Sequence, residues 1–254
     1  MTFSTRLLLT PALALSVALP AALPAAAQGL GYSVSADMGI GAQSVPDYPG
    51  AEDYKVAPWV ILRDLRLSRD GVASGPKQGF SWGLSADLKG KRDSDDSDKL
   101  RGLDDVDPSL ELGVKVGYDA GPFRSYAAIR KGVTGHKGIT GEVGAKYTHD
   151  VNDRLTLTGL AELQYGDGKF MDAYFGVTPA ESARSLYRAY DPAGGLKAAQ
   201  ARIEARYAVS DSNAVMGRIT YTKLLNDAAD SPITANDDQI SVGVGFVHRF
   251  NFRF

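Results

Sequence analysis

The sequence predicts an all-β fold: a transmembrane antiparallel β-barrel of ten strands, with twelve as the alternative count. Three observations lead there. The chain opens on an export leader, its remainder alternates apolar and polar residues in segment after segment, and its connections alternate short and long.

The leader has a single positive charge, Arg6, before an apolar stretch from Leu7 to Leu23 that Pro11 and Pro20 interrupt. Ala25-Ala26-Ala27 then supplies the small residues of a cleavage site, so residues 1–27 read as a signal peptide and 28–254 as the barrel domain. No later stretch approaches the roughly 20 continuous apolar residues of a spanning helix. A membrane crossing must therefore use a closed sheet, because unpaired backbone groups are not tolerated in hydrocarbon. The absence of cysteine excludes a lipidated N-terminus, a disulfide framework and a thiolate metal site. The net charge is −2, and removing a leader whose one charge is Arg6 makes it −3. Nothing in that balance calls for nucleic acid as a partner.

The strands follow in order. Leu30 to Ile40 alternates apolar residues with Gly, Ser and Asp37. A less regular segment, Tyr54 to Leu67, contains Pro58. Phe80 to Lys89, Leu110 to Tyr118, and the weaker Phe123 to Val133 come next. Ile139 to Thr148, Leu155 to Tyr165, Ala199 to Val209 and Val215 to Tyr221 repeat the pattern. The last segment is the longest: from Ile240 to Phe254 the even positions are apolar or aromatic apart from His248. Successive side chains of a strand point to opposite faces, so each segment has one apolar and one polar face. In a transmembrane barrel the first meets lipid and the second a polar lumen, and the mean hydropathy stays that of a soluble protein. Tyr118, Tyr147, Tyr165 and Tyr207 lie near strand ends, as an aromatic girdle requires. A soluble sandwich or lipocalin-like barrel would reverse the faces.

Asp119–Pro122, Val151–Asp153 and Ser210–Ser212 are tight turns, whereas residues 43–53, 91–108, 166–194 and 226–237 are long. That asymmetry gives a periplasmic N-terminus and extracellular long loops. The count of ten makes 68–77 a long periplasmic turn; splitting the second strand and adding one at 170–178 would give twelve. The polar faces carry both signs of charge, which predicts a lumen network of Asp87, Lys89, Glu111, Lys115, Glu142, Lys146, Arg202, Glu204, Arg206 and Arg218. Glu142, Glu162 and Glu204 are expected to pair with Lys146, Arg202 and Arg206 rather than perform acid–base chemistry.

Four loop motifs stand out. They are Pro46-Asp47-Tyr48-Pro49-Gly50 with Asp53-Tyr54, Leu103-Asp104-Asp105-Val106-Asp107, Tyr174-Phe175-Gly176-Val177 with Ser182, and Leu224 through Ile233. Their order and spacing resemble the MltA-interacting protein (MipA/OmpV) family along essentially the whole mature chain. Asn226 and His248 stand where the family pattern leads one to expect Gly and Tyr. The resemblance implies an outer-membrane protein of a Gram-negative bacterium; separately, the terminal aromatic Phe254 resembles the C-terminal assembly signal that the barrel-assembly machinery reads in many bacterial barrels. It further implies a scaffold role with a periplasmic murein hydrolase and synthase as partners, beside outer-membrane lipid. It implies no catalytic residue set. Physically the motifs are turn chemistry, with Pro fixing φ and Gly permitting positive φ, against a binding surface as the alternative. The apolar residues 170–186 are expected to fold inward or pack on the barrel rim, with the gate of a pore as the alternative.

The acidic run Asp93, Asp95, Asp96 and Asp98 lacks EF-hand spacing and reads as a solvated loop. His136, His149 and His248 fit no HExxH or other metal spacing, and GxSxG is absent. No cofactor, metal or catalytic residue is expected. The function expected is a non-enzymatic scaffold, with a narrow channel or small-molecule-binding barrel as the alternative. Ten strands approach the size that side chains can fill, whereas aqueous channels use about 16–18.

Overall fold

The computed structural model describes residues 32–69, 78–95 and 97–253. Residues 1–31, 70–77, Asp96 and Phe254 lie outside the described residues, and with them the signal-peptide and assembly-signal expectations and most of the expected 68–77 turn, whose first two residues are strand.

Ten antiparallel strands form one curled sheet. They are β1 (Tyr32–Pro46), β2 (Tyr54–Arg69), β3 (Gly79–Lys89), β4 (Ser109–Ala120), β5 (Phe123–Gly132), β6 (Ile139–Asp150), β7 (Leu155–Gly166), β8 (Gly195–Ala208), β9 (Asn213–Leu224) and β10 (Asp238–Arg253). The shortest has 10 residues and the longest 16, so each reaches the ~9–11 residues that a tilted strand needs to cross a bilayer. The alternative of twelve fails at both points. β2 is continuous, and residues 168–175 form a helix because Asp167 caps its first turn by accepting from the Phe170 N–H.

The order in the sheet is β2-β1-β10-β9-β8-β7-β6-β5-β4-β3. First and last strands pair from Ser33↔Arg253 to Ser44↔Val242. Among the described residues no ladder joins β2 to β3, so the hydrogen-bonded circuit has a seam there. Pro58 falls on this edge strand, where a residue without an N–H is tolerated.

The faces decide between membrane and soluble architectures. Val56, Val60, Leu62, Phe80, Trp82, Leu84 and Leu88 all point outward and are exposed, Trp82 at 78% and Leu84 at 90%. The same holds for Val242, Val244 and Phe246 on β10. No soluble fold leaves its whole apolar set to water, because that forfeits the main stabilising term; lipid restores it. Exposed aromatics ring both ends: Tyr118, Phe123, Tyr147 and Tyr207 near the short turns, and Tyr54, Tyr165 and Tyr221 near the long loops. His248 occupies this outer register, with Nδ1 bonded to Asn213 Oδ1 at 2.8 Å and its ring edge-on to Phe250.

Candidate functional site

The inner face has two parts: a lumen lined by charge and a cap of folded loops over its long-loop end. The cap is where the four sequence motifs meet. Tyr48, Ala51, Leu100, Leu103, Val177 and Ile233 form one buried cluster, drawn from four different loops. Beneath it, α1 (Gly168–Phe175) buries Phe170, Met171, Tyr174 and Phe175 against Val106, Ala198, Leu224 and Ala228. α2 (Pro179–Arg184) follows, started by a capping box in which Thr178 and Glu181 satisfy each other's backbone.

Polar groups tie these loops together. Tyr48 donates its hydroxyl to the Ile233 carbonyl at 3.3 Å, and Ser231 donates to the Phe175 carbonyl at 2.6 Å. Buried Arg92 donates to the carbonyls of Tyr174 (3.2 Å) and Asp104 (3.0 Å). The buried Glu181 carboxylate accepts from the backbone N–H of Thr178 at 2.7 Å and of Asp104 at 2.8 Å. Burial alone would raise its pKa, but these donors outweigh that and hold the carboxyl below its ordinary range. Arg184 closes the link, donating to the Gly102 carbonyl at 2.8 Å and pairing with Asp104. Gly102 sits at φ +87, and a Cβ there would lie 2.3 Å from the Arg184 carbonyl oxygen, so glycine is required twice over. Asn226 has φ +49, a left-handed conformation that Asn tolerates better than most residues, which explains how it replaces Gly. The motifs are therefore the joints of the cap rather than a free binding surface.

The anticipated lumen residues fall on the inner face, but their partners differ from those expected. Asp87 pairs with Lys89 at 2.6 Å. Glu142 receives a fork from Arg130, at 2.7 and 3.0 Å, and Lys115 at 3.3 Å, not Lys146. Lys115 also lies 3.9 Å over the Tyr126 ring, and Lys146 lies 5.6 Å from it. Glu204 pairs with Arg63, and Arg206 reaches Asp37 at 3.7 Å beside Arg249 at 2.6 Å. Arg202 bonds Thr220 and Gln200, while Arg218 bonds Gln43 and stacks 4.1 Å over Trp59. Glu162 accepts from the Tyr126 hydroxyl and from Gln164. Glu111 is fully buried, accepting from Thr140 Oγ1 at 2.8 Å and facing His136 Nε2 at 3.0 Å. The Gly138 N–H donates to His136 Nδ1, so Nε2 carries the ring proton and donates to Glu111. Burial pushes the His136 pKa down despite this carboxylate, which keeps the ring neutral.

Arg130, Arg63, Lys197 and His136, the partner of the anticipated Glu111, were not anticipated as members of the network. Arg63 and Arg130 lie on strands whose alternation is irregular. Lys197 is hidden by a bulge: Gln164 pairs with Ala198 and Tyr165 with Leu196, leaving Lys197 as the extra residue. It turns into the lumen, donates to Gln164 Oε1 at 2.9 Å and stacks 5.0 Å from Phe170 under the cap. A further inner cluster, Trp59, Ile61, Met216 and Val247, makes part of the lumen wall apolar. Among the described residues no group of three or more His, Asp or Glu side chains converges as a metal site.

Comparison with known proteins gives a family match over residues 38–250, to the family described as MltA-interacting protein MipA. The MltA-interacting protein of Escherichia coli K12 is 26% identical over 164 residues, which span 63% of this chain and 63% of that protein. Outer membrane protein Omp26La of Vibrio anguillarum is 24% identical over 160 residues, covering 62% of this chain and 61% of that protein. Among solved structures, an outer membrane channel from Pseudomonas putida F1 aligns at a TM-score of 0.45 and 11% identity, covering 90% of this chain and 97% of that one.

Proposed function

We propose, because the chain belongs to the MltA-interacting protein MipA family of outer-membrane proteins, that it is a non-enzymatic scaffold holding a periplasmic murein hydrolase and synthase at the outer membrane. The observation that carries this reading is the cap: loops from four hairpins pack one buried cluster across the long-loop end, which suits an anchor better than an open pore. That the Escherichia coli relative is an MltA-interacting protein supports the partner class. Lipid meets the outward apolar face, and the assembly machinery reads the last strand. The docking surface would be the short-turn end, at residues 121–122, 151–154 and 209–212.

The test uses the full protein in lipid nanodiscs over an immobilised, purified lytic transglycosylase. Saturable binding that is lost when the three turns are replaced by Gly-Ser supports the scaffold. Binding no greater than that of empty nanodiscs overturns it. A second reading, a small-molecule-binding barrel, is favoured by one specific observation: the lumen beneath the cap retains a cavity of about 300 Å³.

A further inference from the structure

Two adjoining cavities and the seam between β2 and β3 extend that second reading, on which the following rests. The central one, about 300 Å³, has Lys89, Lys115, Arg130, Lys146, Lys197 and Arg202 in its wall against Asp87, Glu142 and Glu162, six bases to three carboxylates. Of the nearby acids Glu204 belongs to Arg63, whereas Glu111 is bonded only to neutral His136 and to Thr140 and counts as a fourth carboxylate, leaving six bases to four. Among the described residues Lys146, Lys197 and Arg202 have no carboxylate partner; their contacts are a tyrosine ring, glutamine oxygens, a threonine and a phenylalanine ring. Unpaired cations in a partly desolvated chamber are costly, and an anion relieves the cost.

The second cavity, about 580 Å³, lies under the cap and shares Lys89, Gln164 and Lys197 with the first. Its wall is mostly apolar, with Val45, Ala57, Phe170, Tyr174, Phe175 and Leu224 prominent. The Tyr174 hydroxyl is buried and has no hydrogen-bond partner among the described residues. The same cavity is also lined by Pro58 and Leu88, whose side chains belong to the exposed outer face of the two seam strands. It therefore borders the seam, which no ladder closes among the described residues.

We propose that the lumen binds an anionic amphiphile, a single acyl chain carrying a carboxylate or phosphate, with the head group among Lys146, Lys197 and Arg202. The chain lies in the apolar cavity under the cap, and the molecule enters from the membrane between β2 and β3. Both volumes fit the range of small-ligand sites, about 300–1,000 Å³.

Native mass spectrometry of the full protein in a neutral detergent, with laurate, lauryl phosphate, dodecyltrimethylammonium and inorganic phosphate as probes, tests this. One laurate or one lauryl phosphate is expected per chain, with inorganic phosphate and the cationic amphiphile retained at least tenfold less. Lys146→Gln, Lys197→Gln and Arg202→Gln should each lower lauryl phosphate occupancy, and the three together abolish it. The heat-modifiable gel shift of a folded barrel serves as the control; if the combined variant does not fold, the single ones decide. Ala57→Trp, which fills the seam cavity, should slow uptake. Equal retention of dodecyltrimethylammonium overturns the anionic class while leaving a ligand-binding barrel. Equal retention of inorganic phosphate makes the occupant a free anion and overturns the acyl chain. Unchanged uptake in Ala57→Trp overturns entry by the seam. Saturable binding of none of the probes overturns both the inference and the reading beneath it.

Discussion

Phe175→Ala should loosen the cap without unfolding the barrel. Phe175 is 1% exposed and packs in the cluster that joins α1 to Val106, Leu224 and Ala228, so three loops share its ring. Truncating a fully buried Phe costs about 3–5 kcal/mol through lost transfer energy and the cavity left behind. If the cap opens as one unit, that cost appears in its opening equilibrium, raising amide exchange about a hundredfold to several thousandfold. The amides to follow are those that hold the loops together: Val177 and Tyr190, paired to each other's carbonyls, and Arg92 and Val106, likewise paired. Hydrogen exchange by mass spectrometry on loop peptides reads this directly, with β6 and β7 peptides as the internal standard. Faster exchange confined to α1, with 92 and 106 unchanged, would refute a cooperative cap and leave four independent loops.

Three further outcomes are expected. Acid should open the cap through Glu181, whose folded pKa lies below its ordinary 4.5 because Asp104 and Thr178 donate to it. A depressed carboxyl stabilises above its unfolded pKa and loses that contribution as pH falls through the folded value. Near-ultraviolet circular dichroism of the buried tyrosines should therefore decline below about pH 4.5 in the wild type and lose this dependence in Glu181→Gln. A flat signal down to pH 3 in the wild type would oppose this. Arg130→Lys removes a fork to Glu142 and a 2.7 Å bond to Ser85, and should destabilise the folded barrel by about 2–4 kcal/mol in urea titration; an unchanged midpoint contradicts it. Val60→Arg, which places a charge on the lipid face, should cost up to about 2–4 kcal/mol in bilayers. Full stability there would mean that Val60 does not face lipid.

Much of the fold was legible because one rule governs it. Period two places every residue of a regular strand, and ten strands, the inner charges and the aromatic rims follow from it. Its failures have local causes. The bulge at Lys197 changes parity, so a basic residue of the lumen escaped notice. The ion pairs depend on register and on strand rise: Ala128 pairs with Glu142, which brings Arg130 two positions along β5 within reach, whereas Lys146 lies four residues along β6 itself, about 13 Å away. Of the cap, only the inward fold of the apolar 170–186 segment is legible, and the rest reads as turn-like motifs. Turn chemistry is local, whereas the contact of Tyr48 with Ile233 spans 185 positions and leaves no periodic trace. The seam between β2 and β3 was likewise unannounced, since Pro58 marks an edge without saying which edge stays open.

The central claim is that the apolar face meets lipid while the other face lines a charged, capped lumen, and the chain has only two tryptophans to report on it. Trp82 is 78% exposed on the outer face of β3, whereas Trp59 is 7% exposed inside, beneath Arg218. Reconstituted in brominated phospholipid, Trp59→Phe, which retains Trp82, should be strongly quenched, and Trp82→Phe, which retains Trp59, should keep its fluorescence. Quenching of Trp59 with Trp82 spared would mean that the faces are reversed.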